Sequence, residues 1–379
     1  MVNVRTVNLK VRLLNAWVLT LLVVMLVFAA IGWMTSMPGQ LYSGVRSSPD
    51  ANTIEMAAQL QRHVLAVARV PHHAQEMVAL QQVQAYLTDS LTAMGYQVRP
   101  EAVPGGQGPV YNLIAELPAT RPSADKPTWL VIGAHYDSVP TSPGADDNAS
   151  GVAALLVLAE SLRHQAKATK IGVRFELYVN EEDPYFKTPT MGSLVRAKNS
   201  TVAGDQLLGM LSLEAIGCFS DAPDSQDLPW PFSLLYPDTG NYIGLVGKLQ
   251  ARDWVRQITG LLRSHALLPI HGGVAPGLFE EVDWSDHWSY SEQGVPALMI
   301  TDTALNRNHD YHKMSDTPEK LDYIRLALLV QALQATVYDL TDAVTDSATD
   351  SSSGTATLPN GQSAEQFKPV SATALSPTR

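Results

Sequence analysis

Hydrophobic and polar positions follow several distinct patterns along this chain, and the first is unbroken apolarity. Residues 16–34 read AWVLTLLVVMLVFAAIGWM, without a charge and with Thr20 as the clearly polar side chain. At about 1.5 Å of rise per residue, such a helix spans a ~30 Å hydrocarbon core. Trp17 and Trp33 stand near its two ends, where indoles favour the membrane interface. Arg5, Lys10 and Arg12 precede it, and the next charge is Arg46. That asymmetry predicts a cytoplasmic N-terminus and a chain that lies outside beyond the span. We therefore expect a cytoplasmic segment over 1–12 and an uncleaved transmembrane signal anchor over 13–36. A cleaved signal peptide is disfavoured by the length of the apolar run and the lack of a small-x-small site. A buried core helix is disfavoured because no polar face is present.

After a spacer at 37–50, helical and strand periods alternate. Apolar residues at spacings of three and four predict a helix over 77–94, with Gly95 as its stop. Strands are predicted at 111–117, 129–133, 171–179, 209–215 and 296–301, the second of them (WLVIG) of the fully buried type. Helices are predicted at 150–162 and from about Thr317, where DTPE supplies a cap, then proline, then glutamate, to about Val344. Strands alternating with helices imply an α/β domain, 51–345, whose mixed, largely parallel central sheet is covered on both faces. Ligand sites in such sheets form at the carboxyl ends of strands. After 345 the chain turns rich in Ser, Thr, Ala, Asp and Pro, and 346–379 is expected to be a disordered tail.

Composition narrows the chemistry. Of 379 residues, 45% are hydrophobic, enough for a sizeable core. The net charge of -11 repels phosphate backbones and argues against nucleic acid. Cys218 is the lone cysteine, so neither an internal disulfide nor a thiolate zinc site can be built. Any metal must be held by His, Asp and Glu.

Such residues gather just after predicted strands. GAHYDS places His135 and Asp137 two apart, facing the same way on an extended chain. GADDNASG sets Asp146 and Asp147 before a small-residue helix start, where capping is the competing explanation. VNEEDP ends a strand with Glu181 and Glu182, which would otherwise form a solvated turn. MLSLEAIG buries Glu214 in an apolar strand, where a carboxylate needs a partner or a cation. NHDYHKMSDTPEKL carries His309, Tyr311, His312 and Asp316, and SDHWSY adds Asp286 and His287.

In order and spacing, these segments resemble the co-catalytic di-zinc aminopeptidases, whose relatives include bacterial leucyl aminopeptidases, glutamate carboxypeptidases and glutaminyl cyclases. The resemblance covers residues 75–343, most specifically GAHYDSVPTSPGADDNASG and NEE. It implies two zinc ions bridged by Asp146, one also held by His135 and Glu214, the other by Glu182 and His312. It makes Glu181 the general base acting on a water between the metals. Asp137 would orient the His135 ring, Asp147 would support the bridging loop, and Tyr311 would support the tetrahedral intermediate. Many relatives carry Asp where this chain has the longer Glu214. Met191 to Ser193, Asp286 and His287 are expected to be structural or pocket-lining, His309 a surface residue, and Cys218 a small buried one.

The implied protein is a zinc aminopeptidase acting on peptides, anchored by one helix in a bacterial inner membrane with its catalytic domain periplasmic. Two alternatives remain. A glutaminyl cyclase on the same fold would depart from the HxD motif at its histidine, which this chain keeps as His135. A non-catalytic receptor would have lost ligands that this chain retains. Sequence leaves the preferred N-terminal residue and the oligomeric state open.

Overall fold

The computed structural model describes residues 4–44, 48–104, 108–122, 126–164 and 167–342. The expected tail at 346–379 lies outside the described residues. A long helix, α1 (Val4–Thr35), leads the chain. Its stretch Asn15–Thr35 is long and apolar enough to cross a membrane, or to be a signal sequence; it is unburied over its length except at its end, where Met34 packs against the domain.

Eight strands form one sheet: β1 (Val98–Val103), β2 (Val110–Leu117), β3 (Thr128–His135), β4 (Gly172–Tyr178), β5 (Gln206–Glu214), β6 (Ile243–Lys248), β7 (Ile270–Ala275) and β8 (Ala297–Thr301). Their order is β1-β2-β4-β3-β5-β8-β6-β7. The centre, β4-β3-β5-β8, is parallel. Antiparallel pairing enters at β1-β2, β2-β4 and β8-β6. The mixed, largely parallel sheet expected from the alternating pattern is therefore present.

One face carries α2 (Ala51–Val67), α3 (Met77–Ala93), α4 (Gly151–His164), α6 (Arg252–His265) and α8 (Tyr323–Asp342), which share the main apolar core. The other face carries α5 (Gly192–Ala203) and α7 (His287–Ser291), packed over a smaller cluster that includes Val131, Tyr178, Met210 and Tyr290. Val131 and Met210 lie fully buried in neighbouring central strands. Burial on both sides is why β3 and β8 read as continuous apolar runs rather than alternations.

One expectation changes. The last helix begins at Tyr323, not near Thr317. Pro318–Lys320 form a single 3-10 turn, and Leu321 is extended. Leu321 is buried, and the Asp322 amide donates to the Gly217 carbonyl, so a tertiary contact interrupts the helical path. Asp322 then accepts from the Arg325 amide as the start of α8. The start of α2, a helix that the sequence pattern did not predict, is capped by Asp50 accepting from the Thr53 amide at 2.7 Å.

Candidate metal centre

The parallel strands deliver their chemistry to one end of the sheet. His135 closes β3, Glu181 and Glu182 follow β4, and Glu214 closes β5. His312 comes from the loop before α8. Asp147 comes from the loop between β3 and α4, which turns at Gly144 with φ +67°. A Cβ at Gly144 would meet the Asp147 carbonyl oxygen at 2.4 Å, so the turn admits only glycine.

Asp147 sits between two histidines. Its Oδ1 is 3.2 Å from His135 Nε2, and its Oδ2 is 3.0 Å from His312 Nε2. Glu214 Oε1 approaches His135 Nε2 at 3.4 Å, and Glu182 Oε2 approaches His312 Nε2 at 3.5 Å. Two donor groups result, His135–Asp147–Glu214 and Asp147–Glu182–His312, each with donor atoms within 4.8 Å of one another. Glu181 Oε2 lies 4.0 Å from His135 Nε2 and forms a third group with His135 and Glu182.

Asp146, expected as the bridge, turns away and is corrected here. Its Oδ1 accepts from the Gly217 amide at 2.9 Å and its Oδ2 from Asn308 Nδ2 at 2.9 Å. Backbone geometry explains the choice, since adjacent side chains in this non-helical stretch diverge and the one next to His135 is Asp147. Asp147, expected as loop support, takes the central place. Loop support falls to Asp316, which accepts from the Asp146 amide at 3.1 Å and from the Asp147 amide at 3.3 Å.

Asp137 lies beside the His135 ring and also holds the following turn. Its backbone carbonyl accepts from His135 Nδ1 at 3.0 Å, while its carboxylate stands 3.7 Å from that nitrogen. The two carboxylate oxygens accept from the Glu181 and Glu182 amides at 3.2 and 3.3 Å. Asp137 therefore fixes the turn that presents both glutamates. Glu214 keeps its longer arm in place because Ser285 donates to its Oε2 at 2.8 Å. The Tyr311 ring stacks on His312, with centroids 3.8 Å apart.

Asp286 and His287 are fully buried. His309 is exposed, and Cys218 is half-buried with its amide donating to Asp302. His72 and His73 are buried near the same loops. The His72 amide donates to Ser138 Oγ, and His73 Nε2 lies 2.9 Å from the Asp183 carbonyl. Asn308 is the support that the motifs did not single out, and Asp316 was named there without a role; both sit within the segment that also carries His312.

Charge makes the cluster incomplete on its own. Burial raises Glu181 and Glu182 well above the ordinary carboxylate range, and their neighbouring carboxylates add to this. Burial also raises Glu214, although His135 opposes it. For Asp147, burial is outweighed by His135 and His312, which hold it below its ordinary value. His135 shows the converse: burial disfavours its charge, but Glu214 and Glu181 prevail and raise it well above 6.5. His135 opposes the rise at Glu181, Glu182 and Glu214 without overcoming burial and the neighbouring carboxylates at any of the three. Glu182 Oε1 is buried without a hydrogen bond, and so is His312 Nε2, despite its 3.0 Å approach to Asp147. At that distance without hydrogen-bond alignment, the atoms are aimed at a common point rather than at each other. Imidazole and carboxylate donors converging on a buried point suit a divalent cation such as zinc.

A mostly parallel sheet with histidine and carboxylate donors at its carboxyl edge places this protein among α/β metallohydrolases. The chain belongs to peptidase family M28, whose model matches residues 112–337. It is 35% identical over 317 residues to the uncharacterized protein YfbL of Escherichia coli, a match that covers 81% of this chain and 92% of YfbL. Its fold is similar to that of the LapA aminopeptidase of Legionella pneumophila, with a TM-score of 0.57 at 16% identity over 79% of this chain and 78% of LapA. It is similar also to the glutaminyl cyclase of Fimbriiglobus ruber, with a TM-score of 0.54 at 18% identity over 78% of this chain and 99% of that one.

Proposed function

We propose that this protein is a zinc aminopeptidase that removes N-terminal residues from peptides. The observation that supports this most is Asp147 placed between His135 and His312, with Glu214 and Glu182 completing one donor group on each side. In this reading His135, Asp147 and Glu214 hold one cation, and Asp147, Glu182 and His312 hold the second. Bound there, divalent cations would acidify the attacking water and polarise the scissile carbonyl.

The protein's own groups do the rest. Glu181 stands beside the cluster and outside both three-donor sets that share Asp147. Burial raises its proton affinity, which suits a general base that takes the water's proton and returns it to the leaving amine. Asp137 fixes Glu181 and Glu182 through their amides, so that one carboxylate is free for proton transfer while the other binds. Tyr311 is the candidate donor to the oxygen that gains charge in the transition state.

We further propose that α1 is an uncleaved anchor, with residues 51–342 outside the cytoplasm at a bacterial inner membrane. The test is a screen of aminoacyl-p-nitroanilides and glutaminyl peptides with metal-loaded protein, paired with metal analysis. Amine release with two zinc ions per chain supports the reading. Cyclisation of N-terminal glutamine without amine release, or no turnover with full metal loading, overturns it.

A further inference from the structure

The helix that leads the chain meets the domain at a defined place. Arg252 at the start of α6 donates to the Trp33 carbonyl at 2.8 Å and lies over the Trp33 ring at 4.3 Å. Arg256 donates to Ser36, and Arg263 near the end of α6 donates to the Met37 and Pro38 carbonyls at 3.2 and 3.0 Å. Residues 33–39 therefore climb along α6 from its first turn towards its last. α6 follows β6, which runs antiparallel to β8. The first turn of α6 thus lies at the end of the sheet opposite the carboxyl ends of β3, β5 and β8. α1 enters the domain on the far side from the metal cluster.

Around the edge strand β7, three large apolar side chains in the flanking loops are exposed. Trp230, Leu234 and Leu278 are 78%, 74% and 74% exposed. Leu278 follows the end of β7, and the adjacent Phe279 packs edge-on against Phe232 at 5.1 Å, which joins the two segments into one patch. Tyr236 ties the Trp230 segment to β7 by donating to the Gly272 carbonyl at 3.2 Å. A Cβ built on Gly272 would stand 3.2 Å from Met37, so the end of the anchor segment lies on that same strand. Tryptophan and leucine exposed on two segments joined by the Phe232–Phe279 contact are residue types that favour the membrane interface.

We propose that Trp230, Leu234 and Leu278 dip into the apolar interface of the leaflet around α1, as a second membrane contact that seats the domain with its metal cluster facing away from the bilayer. This rests on the reading of α1 as a membrane span. The patch is continuous with the strand edge that the end of α1 already occupies, which favours the bilayer over a separate partner. Glu280 beside Leu278 is exposed, so shallow apolar insertion rather than attraction to anionic headgroups drives the contact.

The experiment uses the full chain with Cys218→Ala, reconstituted in phosphatidylcholine vesicles. Single cysteines are introduced by Leu26→Cys in α1, Trp230→Cys, Leu278→Cys, or Met314→Cys beside His312, and each is labelled with a polarity-sensitive fluorophore. The Leu26, Trp230 and Leu278 labels should be blue-shifted and quenched by nitroxide on lipid acyl chains, and the Met314 label should not. A quenched Leu26 label with water-like Trp230 and Leu278 labels overturns this inference and leaves the anchor intact. An unquenched Leu26 label overturns the anchor itself. Labels at Trp230 and Leu278 that are shielded from iodide yet untouched by the lipid nitroxide mean that protein covers the patch, which also overturns it.

Discussion

Asp146 and Asp147 are neighbours in the chain and point in different directions: Asp147 lies between His135 and His312, and Asp146 is bound by the Gly217 amide and Asn308. The two are chemically identical, so exchanging each for asparagine separates their roles. Asp147→Asn should empty both cation sites, because the shared carboxylate loses its charge. Asp146→Asn should keep metal stoichiometry and lower thermal stability, since an acceptor oxygen at one of two buried partners is replaced by a donor, a loss of about 1–3 kcal/mol. Metal content and melting temperature of the two variants check this. A metal-free Asp146→Asn beside a metal-loaded Asp147→Asn would restore the bridge to Asp146.

Metal removal should act on the fold as well as on turnover. The donors come from the ends of β3 and β5, the segment after β4 and two loops, so they converge only in the native state. Binding then stabilises by about 2.7 kcal/mol at a hundredfold excess over the dissociation constant. Chelation should lower the melting temperature and abolish hydrolysis, and zinc should restore both. An unchanged melting temperature after verified metal removal would contradict the assignment.

Much of this site was legible because its residues end buried strands. WLVIGAH and MLSLE are largely apolar runs that end in a charged or ligating group, and the alternating VRFELYV is followed by NEE, patterns that mark strand and site together. Adjacency is what the sequence could not resolve. Asp146 and Asp147 differ only in where their loop directs them, and that is set by Gly144 and by Asp316, distant in the chain. The same holds for Asp137, whose carboxylate, besides facing the His135 ring, accepts from the Glu181 and Glu182 amides. β6 and β7 escaped pattern reading because IGLVGK and IHGGVA are interrupted by glycine. Pro318 marked a helix start, yet the contact of Asp322 with Gly217 delays the helix.

His287 should give the protein an acid-sensitive slope. Burial lowers its pKa from 6.5 to about 4, and Lys248 and Lys187 add to this. The folded value is below the unfolded one, so the folded state binds fewer protons between them. Stability is then full above about pH 6.5 and falls as pH drops towards 4, by on the order of 3 kcal/mol. His287→Gln, which can still donate to the Val282 carbonyl that His287 Nε2 reaches at 2.7 Å, should flatten the slope. Melting temperatures of both proteins from pH 7.5 to 4 measure it. Parallel curves would mean that His287 does not titrate in this range.

Glu181 and Glu182 separate proton transfer from cation binding. Glu182 Oε2 faces His312, and Glu182 Oε1 is buried without a hydrogen bond, as expected of a cation donor. Glu181 belongs to neither donor set that shares Asp147. Glu181→Gln keeps shape and hydrogen bonding but cannot accept a proton. Turnover should fall by at least ~10²-fold, within the 10²–10⁴ that positioned general bases contribute, with metal content unchanged. Glu182→Gln should lower occupancy of one site, since a neutral amide binds a divalent cation far less well than a carboxylate. Its activity should recover partly in excess zinc, whereas that of Glu181→Gln should not. Metal stoichiometry and turnover of both variants decide between the roles. Metal lost from Glu181→Gln and kept by Glu182→Gln would reverse them, and two unaffected variants would remove this segment from the catalytic centre.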